Sequence, residues 1–281
     1  MLHVLQRMSL LAATWLLVVS PYIARAGETS GTPTPEDDRK SLLDTLQTRY
    51  PQIAPADYAL GAATFGAERQ PTPPARVSEI LTQGKQLWER KFKDRRSLAN
   101  CFPNGGRRIA ATYPQYDARL KKVLTLEGAI NQCLKLHGEA QYELSDSATT
   151  GALTAYLRSL ADGSRMAIRV TGAAAREKYA AGRQFFLSRK GQANYACASC
   201  HVQHAGQILR DRPLSAAIGQ AAQWPRIDAQ GNAVTLQMHY ASCLKRMGAQ
   251  ALLPGDEALD NLEYFHSTLS NGMPLRALPA S

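Results

Sequence analysis

Residues 197–201 read Cys197-Ala198-Ser199-Cys200-His201, a C-x-x-C-H run. Two thiols three positions apart lie on one face of a helical turn, and the next residue adds an imidazole beside them. This is the pattern of covalent c-type haem attachment, with a thiol for each vinyl group and the histidine for the iron. A zinc site would call for a second C-x-x-C or paired histidines, and a thioredoxin-like centre for a βαβ setting; the sequence offers neither. One such run specifies one haem c, held by Cys197 and Cys200, with His201 as the proximal iron ligand. Upstream, Tyr179, Gly182, Phe185 and Phe186 fall at helical spacing. They predict an amphipathic helix over 174–189, with Gly182 where a second helix can come close. His204 reads as a surface residue.

An internal repeat extends this reading to the whole chain. Gly84-Lys85-Gln86-Leu87 matches Gly182-Arg183-Gln184-Phe185. Cys101 follows Gly84 by seventeen residues and Cys200 follows Gly182 by eighteen. In that register Leu98 and Phe102 replace the first thiol and the proximal histidine. Cys133 then aligns with Cys243, and Leu153, Tyr156, Leu157 and Leu160 align with Leu262, Phe265, His266 and Leu269. The expected fold is mainly α: two cytochrome-c-like domains related by internal duplication. Residues 75–165 form the one without haem and residues 172–281 the one that binds it. Residues 27–74 form an N-terminal arm, mobile over 27–40, where Thr32-Pro33-Thr34-Pro35 lies.

Residues 1–26 have the marks of a cleavable signal peptide: Arg7, an apolar run over 8–20 and Ala24-Arg25-Ala26. That run is too short to span a membrane, and the expected location is the periplasm. Without Arg7 and Arg25 the 33 basic residues fall to 31 against 23 acidic, a formal +8 that suits an anionic substrate or acidic partner. No nucleic-acid motif is present. Export permits disulfides. In the repeat Cys101 and Cys133 face each other across a site with no haem, so a bridge between them is expected, worth roughly 3–4 kcal/mol for a loop of this length. Cys243 is the odd cysteine. It is either an inert core thiol or the distal iron ligand, with Met238, His239 and Met247 as competitors.

Several strings resemble the SoxA family, the catalytic subunits of the SoxAX cytochromes of thiosulfate oxidation. They include residues 101–106 (Cys101 to Gly106), 113–117, 125–133 (Thr125 to Cys133), 196–201, Leu209-Arg210, Leu214-Ser215 and Cys243. The subtype with one haem and an N-terminal disulfide matches. The resemblance implies an L-cysteine S-thiosulfotransferase that oxidatively couples thiosulfate to a cysteine of the carrier SoxYZ. Electrons leave through haem to a partner cytochrome, a small SoxX-type subunit. It also implies that Cys243 is both distal ligand and reactive sulfur. The family pattern has arginines four residues before and five after that cysteine, where this chain has His239 and Gly248. His239 would hold the oxyanion only when protonated, making activity pH-sensitive between about pH 5 and 8. Arg246, Lys245, Arg210, Arg212 and Arg226 are alternative cations. Two other functions fit the same residues: a non-catalytic electron-transfer cytochrome ligated by Met238 or Met247, and a divergent paralogue acting on another sulfur compound.

Overall fold

The structure, a computed structural model, describes residues 33–60, 73–209, 212–276 and 278. The expected signal peptide and Arg210 lie outside them, and of Arg212 only the backbone is described. The described residues belong to one compact unit. Helix α1 spans Pro35–Arg49, α2 Pro74–Glu89, α3 Leu126–Leu136, α4 Ala152–Ser159, α5 Ala173–Leu187, α6 Leu236–Arg246 and α7 Glu257–Thr268. Three small antiparallel hairpins join them: β1 (Gln115–Asp117) with β2 (Lys122–Leu124), β3 (Ile208–Leu209) with β4 (Arg212–Pro213), and β5 (Arg226–Ile227) with β6 (Ala233–Val234).

The two halves pass through the same local devices. A threonine hydroxyl caps α3 and α6: Thr125 Oγ1 accepts from the Gly128 N–H at 3.0 Å and Thr235 Oγ1 from the Met238 N–H at 3.3 Å. Each helix stops before a glycine in the left-handed region, Gly138 at φ 67° and Gly248 at φ 62°. In each half the first helix crosses the last at a glycine. A Cβ on Gly84 would lie 2.1 Å from Ala152 O, and one on Gly182 would lie 1.9 Å from Asn261 O. The expected close approach at Gly182 is therefore backbone to backbone. The larger of two apolar core clusters runs through both halves, from Trp88, Leu98, Leu134 and Leu153 to Tyr179, Phe186, Leu262 and Phe265.

Over 33–40 the N-terminal segment differs from the expected mobile arm, while residues 27–32 lie outside the described residues. From Pro35 it is helical, because Thr34-Pro35-x-Asp37 is a helix start: Asp37 N donates to Thr34 Oγ1 at 3.2 Å and Thr34 N donates to Asp37 Oδ2 at 3.0 Å. Asp38 is buried and accepts from Tyr179 Oη at 2.6 Å and Arg183 Nε at 2.8 Å, which ties α1 to α5. Beyond α1, Arg49 Nη1 donates to the carbonyls of Val202 and Gln203 at 3.1 and 2.8 Å, and Tyr50 Oη to that of Ala205 at 2.8 Å. The segment therefore clamps the turn that follows the C-x-x-C-H run.

Gly182→Ala should separate α5 from α7 and cost about 3 kcal/mol or more, since a carbonyl oxygen cannot yield as a side chain does. Gly138→Ala, with nothing within 4 Å of the added Cβ, carries only the left-handed backbone penalty, about 1 kcal/mol. Chemical denaturation of the two variants should rank them in that order.

Candidate functional site

The C-x-x-C-H run begins two residues past a short backbone pairing of Lys190 with Tyr195. Ser199 Oγ accepts from the Ala196 N–H at 3.1 Å and starts the turn, which is wider than an α-turn over Ser199–Gln203. Neither Cys197 nor Cys200 is in a disulfide. His201 Nδ1 lies 2.8 Å from Ser215 O. A carbonyl only accepts, so Nδ1 carries the proton and Nε2 keeps its lone pair for a ligand. The Ala217 N–H donates to His201 O at 2.8 Å and fixes the backbone of the same residue.

Cys243, the third free cysteine, projects from α6. Arg246 Nη2 lies 3.0 Å from its sulfur and His239 Nε2 lies 3.5 Å away. Positions i−4, i and i+3 share one helix face, which is why these three side chains meet. Burial pushes the Cys197 thiol up to about 11; Lys190 opposes this and Cys243 adds to it. Burial also raises Cys243, against the pull of Arg246, and Cys200 adds to the rise. The three thiols thus lie within electrostatic reach of one another. Two sulfurs for thioether bonds, one imidazole with a free Nε2 and one further thiol form a donor set that fits haem c.

His239 is not the cation expected from the sequence. Its ring stacks on Trp224, with centroids 4.5 Å apart, and protein encloses it on most sides although part of its surface stays open. Burial, then His201, Arg226 and Arg246, hold its pKa well below the usual histidine value. That shift runs against the titration expected between about pH 5 and 8. The positive charge at Cys243 comes from Arg246; Arg226, whose guanidinium sits 5.0 Å over the Trp224 ring, acts on the neighbouring His239. Sequence reasoning named both only as substitutes and did not single out Trp224. The i, i+3 spacing of Cys243 and Arg246 was the available signal. Of the competing ligands, Met238 turns its sulfur back to the Thr235 N–H at 3.5 Å, and Met247 closes α6. His204 is exposed, as expected. Cys101 and Cys133, also as expected, are joined by a disulfide.

The family model of the SoxA/TsdA cytochrome c domain matches residues 83–166 and 181–275. The chain belongs to the SoxA/TsdA cytochrome c family. It is therefore a haem c protein with the cytochrome-c-like fold of that family. It is 32% identical over 252 residues to the L-cysteine S-thiosulfotransferase subunit SoxA of Chlorobaculum tepidum, covering 87% of this chain and 86% of that one. It is 31% identical over 252 residues to the same-named subunit of Allochromatium vinosum, covering 86% and 88%. The crystal structure of SoxXA from P. pantotrophus matches the fold with a TM-score of 0.66 at 21% identity, over 72% of this chain and 77% of that one. Among the described residues no helix is long and apolar enough to cross a membrane.

Behind Trp224, this chain holds a buried polar cluster between its two halves. Trp224, Glu127, Arg158 and Glu263 line a cavity of about 10 Å³, room for about one water. Trp224 Nε1, Arg158 Nε and Glu127 Oε2 have no hydrogen-bond partner in the protein: two donors and one acceptor, the set a single bridging water satisfies. Arg158 donates to Ala221 O, and Thr154 Oγ1 donates to Glu127 Oε1 at 2.9 Å. Gln237 Nε2 donates to both Asp260 Oδ1 and Glu263 Oε2, at 3.2 and 3.0 Å. Burial and the neighbouring Glu127 raise Glu263 well above the usual carboxyl range.

Asp260 sits among Glu127, Glu257, Glu263 and Lys122, and burial pushes its pKa to about 7. The folded chain therefore binds a proton that the unfolded chain releases near pH 4, so this group's contribution to stability falls as pH rises from about 4 through 7. Asp260→Asn should remove up to about 4 kcal/mol of that decline. Denaturation curves should show the variant gaining on the parent at pH 8 and not at pH 4.

Proposed function

We propose that this chain is a periplasmic SoxA-type subunit that joins thiosulfate oxidatively to a cysteine of a SoxYZ-type carrier. It carries one haem c, bonded through Cys197 and Cys200 with His201 as proximal and Cys243 as distal iron ligand. The observation that carries this reading is the convergence of three unpaired thiols and a carbonyl-anchored histidine in a chain of this family. The two halves are copies of one unit, and the first has lost its haem. The shared caps, the glycine crossings at Gly84 and Gly182, and the disulfide in register with Cys200 and Cys243 support that history. Residues 1–26 direct export and are removed.

The reaction forms a sulfur–sulfur bond between the outer sulfur of thiosulfate and the carrier cysteine. The thiol proton and two electrons leave. Haem c, when bound, supplies the one-electron acceptor that passes electrons to a SoxX-type cytochrome. Arg246 and Arg226 hold the dianion beside Cys243, and Arg246 keeps a permanent charge next to that sulfur whatever the pH. His239, neutral and stacked on Trp224, orients the sulfur and is not a counter-charge. Cys243 presents the sulfur that accepts or relays the sulfur adduct. Placement of the Met238 sulfur against its own helix start favours this over a methionine-ligated carrier of electrons.

Turnover with thiosulfate, a SoxYZ-type carrier and a SoxX-type partner tests the proposal. Cys243→Met should fall below about one-hundredth of the parent rate, and Arg246→Ala should raise KM for thiosulfate by about tenfold, the worth of one charged hydrogen bond. Parent-like turnover in Cys243→Met would refute the assignment.

A further inference from the structure

The second group of interest lies in the half without the C-x-x-C-H run. The Cys101–Cys133 bridge has an unequal exposure: Cys133 is 1% exposed, and Cys101 is half-buried. A ring nitrogen of His137 and the two sulfurs all lie within 4.8 Å of one another. His137 Nδ1 is 2.6 Å from Asp94 Oδ2, and its ring packs on Phe92 with centroids 5.2 Å apart. The backbone N–H of Arg96, then His137, keep the Asp94 carboxyl below its usual range, so it is an anion. Asp94 belongs to an exposed loop that also carries Arg90, Lys91, Lys93, Arg95 and Arg96, immediately before the turn that holds Cys101. A bridge that serves only as a staple needs neither an ionisable neighbour at the sulfurs nor a cationic rim.

We propose that Cys101–Cys133 is a second sulfur-reactive centre, where a small anionic sulfur nucleophile attacks Cys101 and His137 protonates the departing Cys133. The loop cations draw the anion in, an attraction that salt screens. The nucleophile's sulfur forms a bond to Cys101 Sγ while the Cys101–Cys133 bond breaks. Cys133 leaves with the bonding electron pair. A thiolate at so buried a position is costly, and departure through a protonated thiol avoids that charge. In its charged form, with Asp94 on Nδ1, His137 has a second N–H on Nε2 to give. The proton passes to Cys133, leaving a thiol, and His137 regains one from solvent. The disulfide itself is the oxidant, so no further redox partner is needed. With sulfite as nucleophile the products are a Cys101 S-sulfonate and a Cys133 thiol. This centre is separate from the haem site and does not depend on how the iron is ligated.

The test is to treat the folded, haem-loaded protein with sulfite and follow the peptides of residues 101 and 133 by mass, with alkylation to trap free thiol. Reading those peptides alone keeps any reaction at Cys243 apart. The expected result is sulfonate on Cys101 and an alkylatable Cys133. The rate should fall at least tenfold in His137→Gln and in Asp94→Asn, with unchanged melting temperature and haem spectrum. It should also fall with added salt, and less steeply in a Lys93→Gln/Arg95→Gln variant. Reaction only after unfolding, sulfonate on Cys133, or a parent-like rate in Asp94→Asn would overturn the proposal. Asp94→Asn leaves the imidazole in place, so it decides the matter even where His137→Gln fails to fold.

Discussion

The contact on which the rest of the structure depends is the crossing of α5 over α7 at Gly182, where backbone meets backbone. A Cβ there would lie 1.9 Å from a carbonyl oxygen. Interhelix distance this short sets where the chain emerges from α5, and so where the C-x-x-C-H turn begins. The same crossing positions Phe265 against Tyr179 and Phe186, with ring centroids 5.4 and 5.3 Å apart. Next along α7, His266 Nε2 donates to Ala217 O at 3.1 Å, so its Nδ1 accepts from Tyr240 Oη on α6 at 2.7 Å. Burial holds His266 neutral, with its pKa pushed down to about 3. One glycine thereby sets the spacing of α5 and α7, to which the side bearing Cys243 and the loop bearing Ser215 are both tied.

The N-terminal half contributes to the site through the support behind Trp224. Arg158 and Glu127 come from α4 and α3, yet they line the cavity behind Trp224, and Trp224 supports His239 beside Cys243. Burying an arginine among three carboxyls is costly unless protons are shared, and the raised Asp260 and Glu263 show how the cluster meets that cost. A half that lacks the motif can therefore be retained for what it does to the other half. α1 acts on the opposite side, holding the carbonyls that follow His201 through Arg49 and Tyr50.

Much of this was legible in the sequence where spacing alone determines geometry. The C-x-x-C-H run, the helix over 174–189 and the register of Gly84 with Gly182 all depend on local period. The observed α5, Ala173–Leu187, differs from expectation by one or two residues at each end. The Cys101–Cys133 bond followed from the repeat and is present. What escaped was tertiary. Thr34-Pro35 looked like part of a mobile arm because the alternating Thr-Pro residues masked the helix start they form with Asp37, and the α5 partners of Asp38 carry no pattern of their own. His239 looked like a switch because its spacing from Cys243 was visible and its stacking on Trp224 was not. Arg246, at i+3 from Cys243, was visible by helix period and was left among several cations because spacing does not rank them.

The ligation of the iron decides the central claim most directly. Electron paramagnetic resonance of the oxidised haem-loaded protein, with a near-infrared magnetic spectrum beside it, distinguishes a sulfur anion from a thioether opposite histidine. A low-spin thiolate-type signal that is lost in Cys243→Met is expected. A histidine–methionine charge-transfer band in the parent protein, unchanged by that substitution, would contradict it.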